Sequence, residues 1–310
     1  MARRRRGDPV HGWLIIDKPM GITSARAVAR ARAIMNAAKA GHAGTLDPLA
    51  TGVLPIALGE ATKTVSWVMD GSKSYRFTVR WGEARTTDDM EGAVTQSSDA
   101  RPSSDAILSV LEDFIGGIQQ SPPIYSAIKV DGRRSYDLAR SNEAVAHKTR
   151  IVTIDRLELL EIPDSDHAVF EVHCGKGTYV RSLGRDMAVK LGTVGHIRAI
   201  RRLSSGPFAE SDAISLDKLE SLRHIAPQQD YLLPVETALD DIPALAMTTT
   251  QADYLKHGRS VRVRGAGGLR FVEVGDLDEG TTVCAMLDGK PVALARLSGD
   301  EIRPVRVLNL

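Results

Sequence analysis

The sequence predicts an α+β protein with a small β-rich unit at its C-terminal end. Three observations carry that expectation. Residues 73–81, Lys-Ser-Tyr-Arg-Phe-Thr-Val-Arg-Trp, alternate with period two, which puts Tyr75, Phe77, Val79 and Trp81 on one face of a half-buried strand. Residues 104–114 instead carry Ile107, Val110, Leu111 and Phe114 at the spacing of an amphipathic helix. Beyond Ile242-Pro243 the pattern changes to short strands and glycine turns, at 261–263, 271–274, 283–286, 292–295 and 305–308. That spacing fits a small barrel or sandwich.

Taken in order, the chain opens with Arg3 to Arg6 and then Gly7-Asp8-Pro9. Residues 1–10 therefore read as a disordered basic tail, since a signal peptide would need an apolar stretch there. Trp13-Leu14-Ile15-Ile16 is a short strand stopped by Asp17-Lys18-Pro19-Met20-Gly21. Thr23-Ser24 caps a helix carrying Val28, Ala31, Ile34 and Met35, with Arg26, Arg30 and Arg32 as its solvated face. Residues 53–59 read as a buried strand and 60–69 as one helix. Gly116-Gly117 ends the helix at 104–114. Asp131-Gly132 signals a hairpin or turn, after which Arg133, Arg134 and Tyr136 open a helix to Arg140. Strands follow at 151–162 and 168–172, then a helix to Leu191, a strand at 195–203 and a helix at 216–222.

Composition narrows the class. The chain has 310 residues, 43% hydrophobic and 25% charged, enough core for one large or two unequal domains. No apolar run reaches the ~20 residues of a membrane span, so no membrane partner is expected. Cys174 and Cys284 lie far apart without metal-type spacing and read as reduced thiols in a cytoplasmic protein. Net charge is only +1, which argues weakly against nucleic acid, but local clusters rather than totals bind phosphate. One such cluster is Arg181, Arg185, Lys190, Arg198, Arg201 and Arg202, with Asp186 as its one nearby acid. It reads as an RNA-contacting patch or, more plainly, as a solvated face.

The densest chemistry lies in Gly41-His42-Ala43-Gly44-Thr45-Leu46-Asp47-Pro48-Leu49-Ala50-Thr51-Gly52. Three glycines flank a single acid, Asp47, and the following proline pushes it out of helical geometry. The loop reads as a holder for one carboxylate beside something large; the plainer alternative is an Asp turn bonding its own backbone. Gly175-Lys176-Gly177-Thr178 lacks the earlier glycine of a P-loop, which excludes an NTPase. The acidic run 86–92 has no partner cluster of metal-ligand spacing. Neither a metal nor a cofactor is expected. A glycosidase would need a second carboxylate to pair with Asp47, and none is evident.

Read together, these stretches resemble the TruB family of tRNA pseudouridine synthases. The run from Gly41 to Leu54 resembles the family's catalytic loop, and Asp17-Lys18-Pro19-x-Gly21-x-Thr23-Ser24 resembles the block that supports its cleft. Further matches are Lys73-x-Tyr75, the Thr-Asp loop at 86–92 and Pro122-Pro123-x-Tyr125-Ser126-Ala127-x-Lys129-Val130. The last are Cys174-x-Lys176-Gly177-Thr178-Tyr179-x-Arg181 and Leu216-Asp217-Lys218-Leu219. The resemblance covers roughly residues 13–222 and is loosest at the C-terminal end.

The resemblance implies a pseudouridine synthase fold, with a mostly antiparallel central sheet flanked by helices. It implies a catalytic domain at 11–233 and a PUA-like RNA-binding domain at 245–310. The activity implied is isomerisation of uridine to pseudouridine at position 55 in the T-loop of tRNA. Asp47 would be the catalytic carboxylate, either attacking C1′ or removing a C2′ proton. Arg181 would keep it ionised, because a guanidinium stays charged and pairs carboxylates with two prongs. Tyr75 would stack on the uracil, with its hydroxyl as an acceptor for the C5 proton. The uridine must be flipped out of its loop, and His42 either fills the vacated stack or is a turn histidine. His42, Lys18, Asp89, Lys129, Tyr179 and Arg202 are the expected RNA-side residues, Asp89 also managing Arg181. The partner is the tRNA T-stem-loop, with no guide RNA, and a monomer is expected. The alternative is a tRNA-binding or folding protein whose catalysis is secondary.

Overall fold

The computed structural model describes residues 7–124, 129–130, 133–134, 149–263 and 277–310. In chain order the strands are β1 (Gly12–Lys18), β2 (Ala40–His42), β3 (Thr51–Leu58), β4 (Lys73–Trp81), β5 (Glu83–Arg85) and β6 (Val94–Ser97). Next come β7 (Gly116–Gln120), β8 (Lys129–Val130), β9 (Arg133–Arg134), β10 (Arg150–Asp164), β11 (His167–Cys174), β12 (Gly195–Ser205) and β13 (Phe208–Ala209). The last are β14 (Ala244–Ala246), β15 (Val261–Arg262), β16 (Thr282–Leu287), β17 (Lys290–Ser298) and β18 (Glu301–Val307).

The central sheet runs β1-β3-β12-β4-β11-β10-β7, with β2 beside β3 and β13 beside β12. All its pairings are antiparallel except β3 with β12, as the sequence led us to expect. The alternation in β4 works as predicted: Phe77, Val79 and Trp81 are buried with Phe170, Leu183 and Met187 against the helix Val180–Lys190. Each such buried side chain contributes roughly 1.5–3 kcal/mol. Tyr75, on the same face, packs against this cluster and against the one beneath helix Ser24–Ile34, so it stands where the two halves of the core meet.

Some elements depart from the sequence reading. Residues 60–69 are not one helix. A 3-10 turn over Gly59–Lys63 hands over to helix Val65–Asp70 at Thr64, whose hydroxyl donates back to Ala61 O at 2.9 Å. Arg133 and Arg134 are not helical but form β9, whose backbone pairs with β8 at Lys129–Arg134 and Val130–Arg133; the rest of the helix expected to Arg140 lies outside the described residues. Asp8 and Val10, expected in a disordered tail, are instead ordered: Asp8 N–H donates to Asn36 O at 2.6 Å and Val10 is buried in the core.

At the C-terminal end β14-β16-β17-β18-β15 make one five-stranded sheet. The helix Thr249–Lys256, absent from the sequence reading, packs on it through Ala252 and Leu255. Its signal was the Thr248–Gln251 capping box, in which each side chain serves the other's backbone N–H. This sheet shares a core with the central one, since Cys284, Leu294 and Leu308 are buried with Trp13, Ile15 and Val53.

Candidate active site

The Asp47 loop is fixed from its backbone. Buried Ser24 accepts the Leu46 N–H at 2.8 Å and donates its hydroxyl to Leu46 O at 2.9 Å. Gly21 N–H donates to Pro48 O at 2.8 Å, and the Lys18 ammonium reaches the same oxygen at 3.3 Å while also donating to Pro19 O and Ile22 O. Leu46 is buried beneath the loop. The chain therefore holds the residues on both sides of Asp47, and its side chain is left 45% exposed.

The loop faces a cavity of about 310 Å³ lined by Asp47, Tyr75, Tyr179, Arg181 and Arg202, among others. Arg181 Nη2 lies 3.0 Å from Asp47 Oδ2, Nη1 lies 3.4 Å from Asp89 Oδ2, and Nη1 donates to Thr87 O at 2.9 Å. One buried guanidinium thus spans the half-exposed carboxylate and a buried one. Asp89 is held in turn by the Thr87 hydroxyl at 2.5 Å and the Glu91 N–H at 3.0 Å. Arg181 itself rides on helix Val180–Lys190, whose start is gripped by buried Gln120: Tyr179 N–H donates to Gln120 Oε1 at 2.7 Å, and Gln120 Nε2 donates to Tyr179 O at 3.0 Å.

One turn along that helix, Arg185 makes a second link to the same acidic loop. Its Nη1 lies 2.8 Å from Asp88 Oδ2 and its Nε 2.9 Å from Asp186 Oδ1. Asp88 adopts φ +58, a left-handed conformation that a non-glycine residue holds only when its surroundings impose it. Burial pushes the Asp88 and Asp186 carboxyls up, and Arg185 pulls each back down.

Tyr75 lies opposite Arg202 across β4 and β12. Burial pushes its phenol up from the ordinary tyrosine value, while the Arg202 guanidinium opposes the shift by its charge and by a hydrogen bond. The ring is therefore a neutral phenol at physiological pH.

The remaining expected site residues fall into place differently. Lys18 is fully buried and bonds three carbonyls, so it braces the loop from inside rather than meeting RNA. Arg202 is likewise buried, donating from Nε to Val53 O at 2.7 Å and from Nη2 to Gly44 O at 3.2 Å. Asp89 is buried against Arg181 and serves it rather than a surface. Tyr179 lines the cavity. His42 sits in β2, half-buried, and is not among the cavity-lining residues; burial, then the nearby Arg202 charge, lowers its pKa and keeps it neutral. Tyr125 and the Lys129 side chain lie outside the described residues.

The basic cluster at 181–202 does not form a patch. Arg181 is paired with Asp47 and Asp89, and Arg185 with Asp88 and Asp186. Lys190 is paired with Asp113, and Arg201 with Asp17 and Glu210. Arg202 is internal, and the exposed members are Lys190, in a surface pair with Asp113, and Arg198, which has no carboxylate partner among the described residues. The helix arginine Arg30 is also paired, to Asp217 and Glu220.

Gly52 is required by packing against protein, not by an approaching RNA. A Cβ there would stand 2.2 Å from Arg202 O, and its φ is +95. Gly52→Ala is expected to lose about 2–4 kcal/mol of stability, read as a lower urea midpoint with unchanged slope.

Burial pushes Lys18 down to about 8, against the attraction of Asp47. The unfolded chain then binds more protons than the folded one between pH 8 and its ordinary value of 10.5, so stability contributed through Lys18 rises with pH across that window. Lys18→Met is expected to flatten this rise, measured as urea midpoints at pH 8 and 9.5.

Residues 32–180 match the family model of the TruB family pseudouridylate synthase N-terminal domain, and residues 181–240 match that of the tRNA pseudouridylate synthase B C-terminal domain. The tRNA pseudouridine synthase B of Rhodospirillum rubrum is 56% identical over 310 residues, covering 100% of both chains. That of Caulobacter vibrioides is 51% identical over 313 residues, again covering 100% of both. A chain of a solved Cbf5-Nop10-Gar1 complex aligns with a TM-score of 0.75 at 26% identity, over 99% of this chain and 91% of that one. A chain of an H/ACA RNP bound to a substrate RNA containing 2'-deoxyuridine has a TM-score of 0.74 at 24% identity, over 100% and 92%, a likeness of fold. The central sheet is thus a pseudouridine synthase fold, and the chain belongs to the TruB family of pseudouridylate synthases.

Proposed function

We propose that this protein converts uridine to pseudouridine at position 55 in the T-loop of tRNA, acting alone in the cytoplasm, without a guide RNA or a cofactor. The observation that carries the reading is the Asp47–Arg181–Asp89 chain of charges in one cavity with Tyr75. In the proposed reaction the uridine flips out of its loop and enters the cavity. The Asp47 carboxylate acts on the ribose, at C1′ or on a C2′ proton, and the C1′–N1 bond breaks. The uracil turns against the Tyr75 ring and rejoins through C5; C5 loses a proton and N1 gains one. Tyr75, held neutral, hands protons on through its hydroxyl rather than serving as a phenolate base. No electrons or groups leave the pair of rings, so no co-reactant is needed.

In this reading residues 11–233 are the catalytic domain and residues 245–310 a PUA-like unit that adds RNA contacts. Arg296 and Arg303 support the latter: both are exposed and face each other across β17 and β18, an arrangement that repels unless an anion bridges it. The same pair is what favours the second reading, a tRNA-binding or folding protein. Purified protein incubated with C5-tritiated tRNA is expected to release tritium without additives, and no release would overturn the proposal. Full replacement of the gene by an Asp47→Asn copy would favour the second reading.

A further inference from the structure

We infer that Arg150 anchors a phosphate of the nucleotide that enters the cavity. The inference rests on the uridine-binding reading above and adds to it a contact with the RNA backbone. Among the described residues, four cations line the cavity: Lys73, Arg150, Arg181 and Arg202. Three are already engaged. Arg181 is paired with Asp47 and Asp89. Lys73 donates to Val68 O, Met69 O and Gly71 O at the end of helix Val65–Asp70. Arg202 donates to Val53 O and Gly44 O.

Arg150 differs. Among the described residues it makes one hydrogen bond, from Nη2 to Gly177 O at 2.5 Å, and its guanidinium carbon lies 4.9 Å from the centroid of the Tyr179 ring. These two contacts set the position and plane of the guanidinium. Its Nε is buried with no acceptor, and no carboxylate among the described residues is ion-paired with it. A guanidinium offers five N–H donors in a flat fork; with one on Gly177 O and the Nε–H buried, three on the two Nη atoms remain for a ligand. Arg150 is half-buried beside Gly177 and lines the cavity. A phosphate is the anion such a nucleotide always brings, and its oxygens match the fork two at a time. A uracil carbonyl would supply one acceptor and no charge.

The test uses T-stem-loop RNA carrying a neutral methylphosphonate at the linkage 5′ or 3′ to the target uridine, bound to the full chain with Asp47→Asn to prevent turnover. One of the two substitutions is expected to weaken binding about tenfold. Arg150→Gln is expected to weaken binding of the all-phosphate RNA by a similar factor, to lower the salt slope by about one, and to erase the methylphosphonate effect. Arg150→Lys, which keeps the charge, should retain part of that effect. A purely structural role would leave the full methylphosphonate penalty in Arg150→Gln, and that result overturns the proposal. So does the absence of any penalty with native Arg150. Tritium release by the wild-type protein on the all-phosphate RNA is measured in parallel. Failure there overturns the proposed reaction, whereas release with no Arg150–phosphate coupling overturns the anchor alone.

Discussion

Asp47→Asn is expected to abolish tritium release from C5-labelled tRNA while leaving tRNA affinity within a few-fold of the wild type. The amide keeps the shape of the side chain but removes the negative charge and the nucleophilic or basic oxygen. The loop should survive the change, because its anchors are backbone contacts: Ser24 on Leu46, and Gly21 and Lys18 on Pro48. With 45% of the Asp47 side chain exposed, burial of a neutral amide costs little. A drop of about 10⁴-fold or more in single-turnover rate is the scale for removing an essential nucleophile or base. Residual turnover within tenfold of the wild type would remove Asp47 from the chemistry.

Arg181→Lys is the second large effect, a slowing of about 10²–10³-fold. The guanidinium reaches Asp47 through Nη2 and Asp89 and Thr87 O through Nη1, and a single ammonium cannot span both sides. A misplaced partner leaves the Asp47 carboxylate free to turn, and small losses of alignment cost rate steeply. Arg181→Met adds a stability penalty of about 3–5 kcal/mol, because buried Asp89 is left without its guanidinium partner. A rate for Arg181→Lys within threefold of the wild type would show that the two-pronged contact is dispensable. Urea midpoints separate the two variants, since Arg181→Lys should keep most of the stability that Arg181→Met loses.

Much of the fold was legible because the signals are local. Period-two alternation marked β4 and continuous apolar character marked β3. The helix Thr249–Lys256 escaped because two buried apolar residues in eight give too weak a stripe, and its capping box was the better signal. Gln120 and Arg150 carried no motif. Their importance comes from meeting Tyr179 across 59 and 29 positions of chain, through a hydrogen bond and a ring contact respectively.

By itself the sequence determined where most of the strands and helices lie and which residue types could carry the chemistry, Asp47, Tyr75 and Arg181 each in its own block. Local side-chain periodicity and turn chemistry act over a few residues, so they can be read along the chain. Only the tertiary structure decided which charges remain available. The cluster at 181–202 looked basic beside one acid, yet Arg201 meets Asp17 from 184 positions away and Arg185 meets Asp88 from 97. β12 lies between β3 and β4 and so brings its arginines to acids from elsewhere in the chain. Coulomb energy depends on separation in space and on burial, not on separation in sequence. For that reason Lys18 and Arg202 became internal braces of the Asp47 loop, and Arg150 stood out as the cavity cation with no carboxylate partner among the described residues.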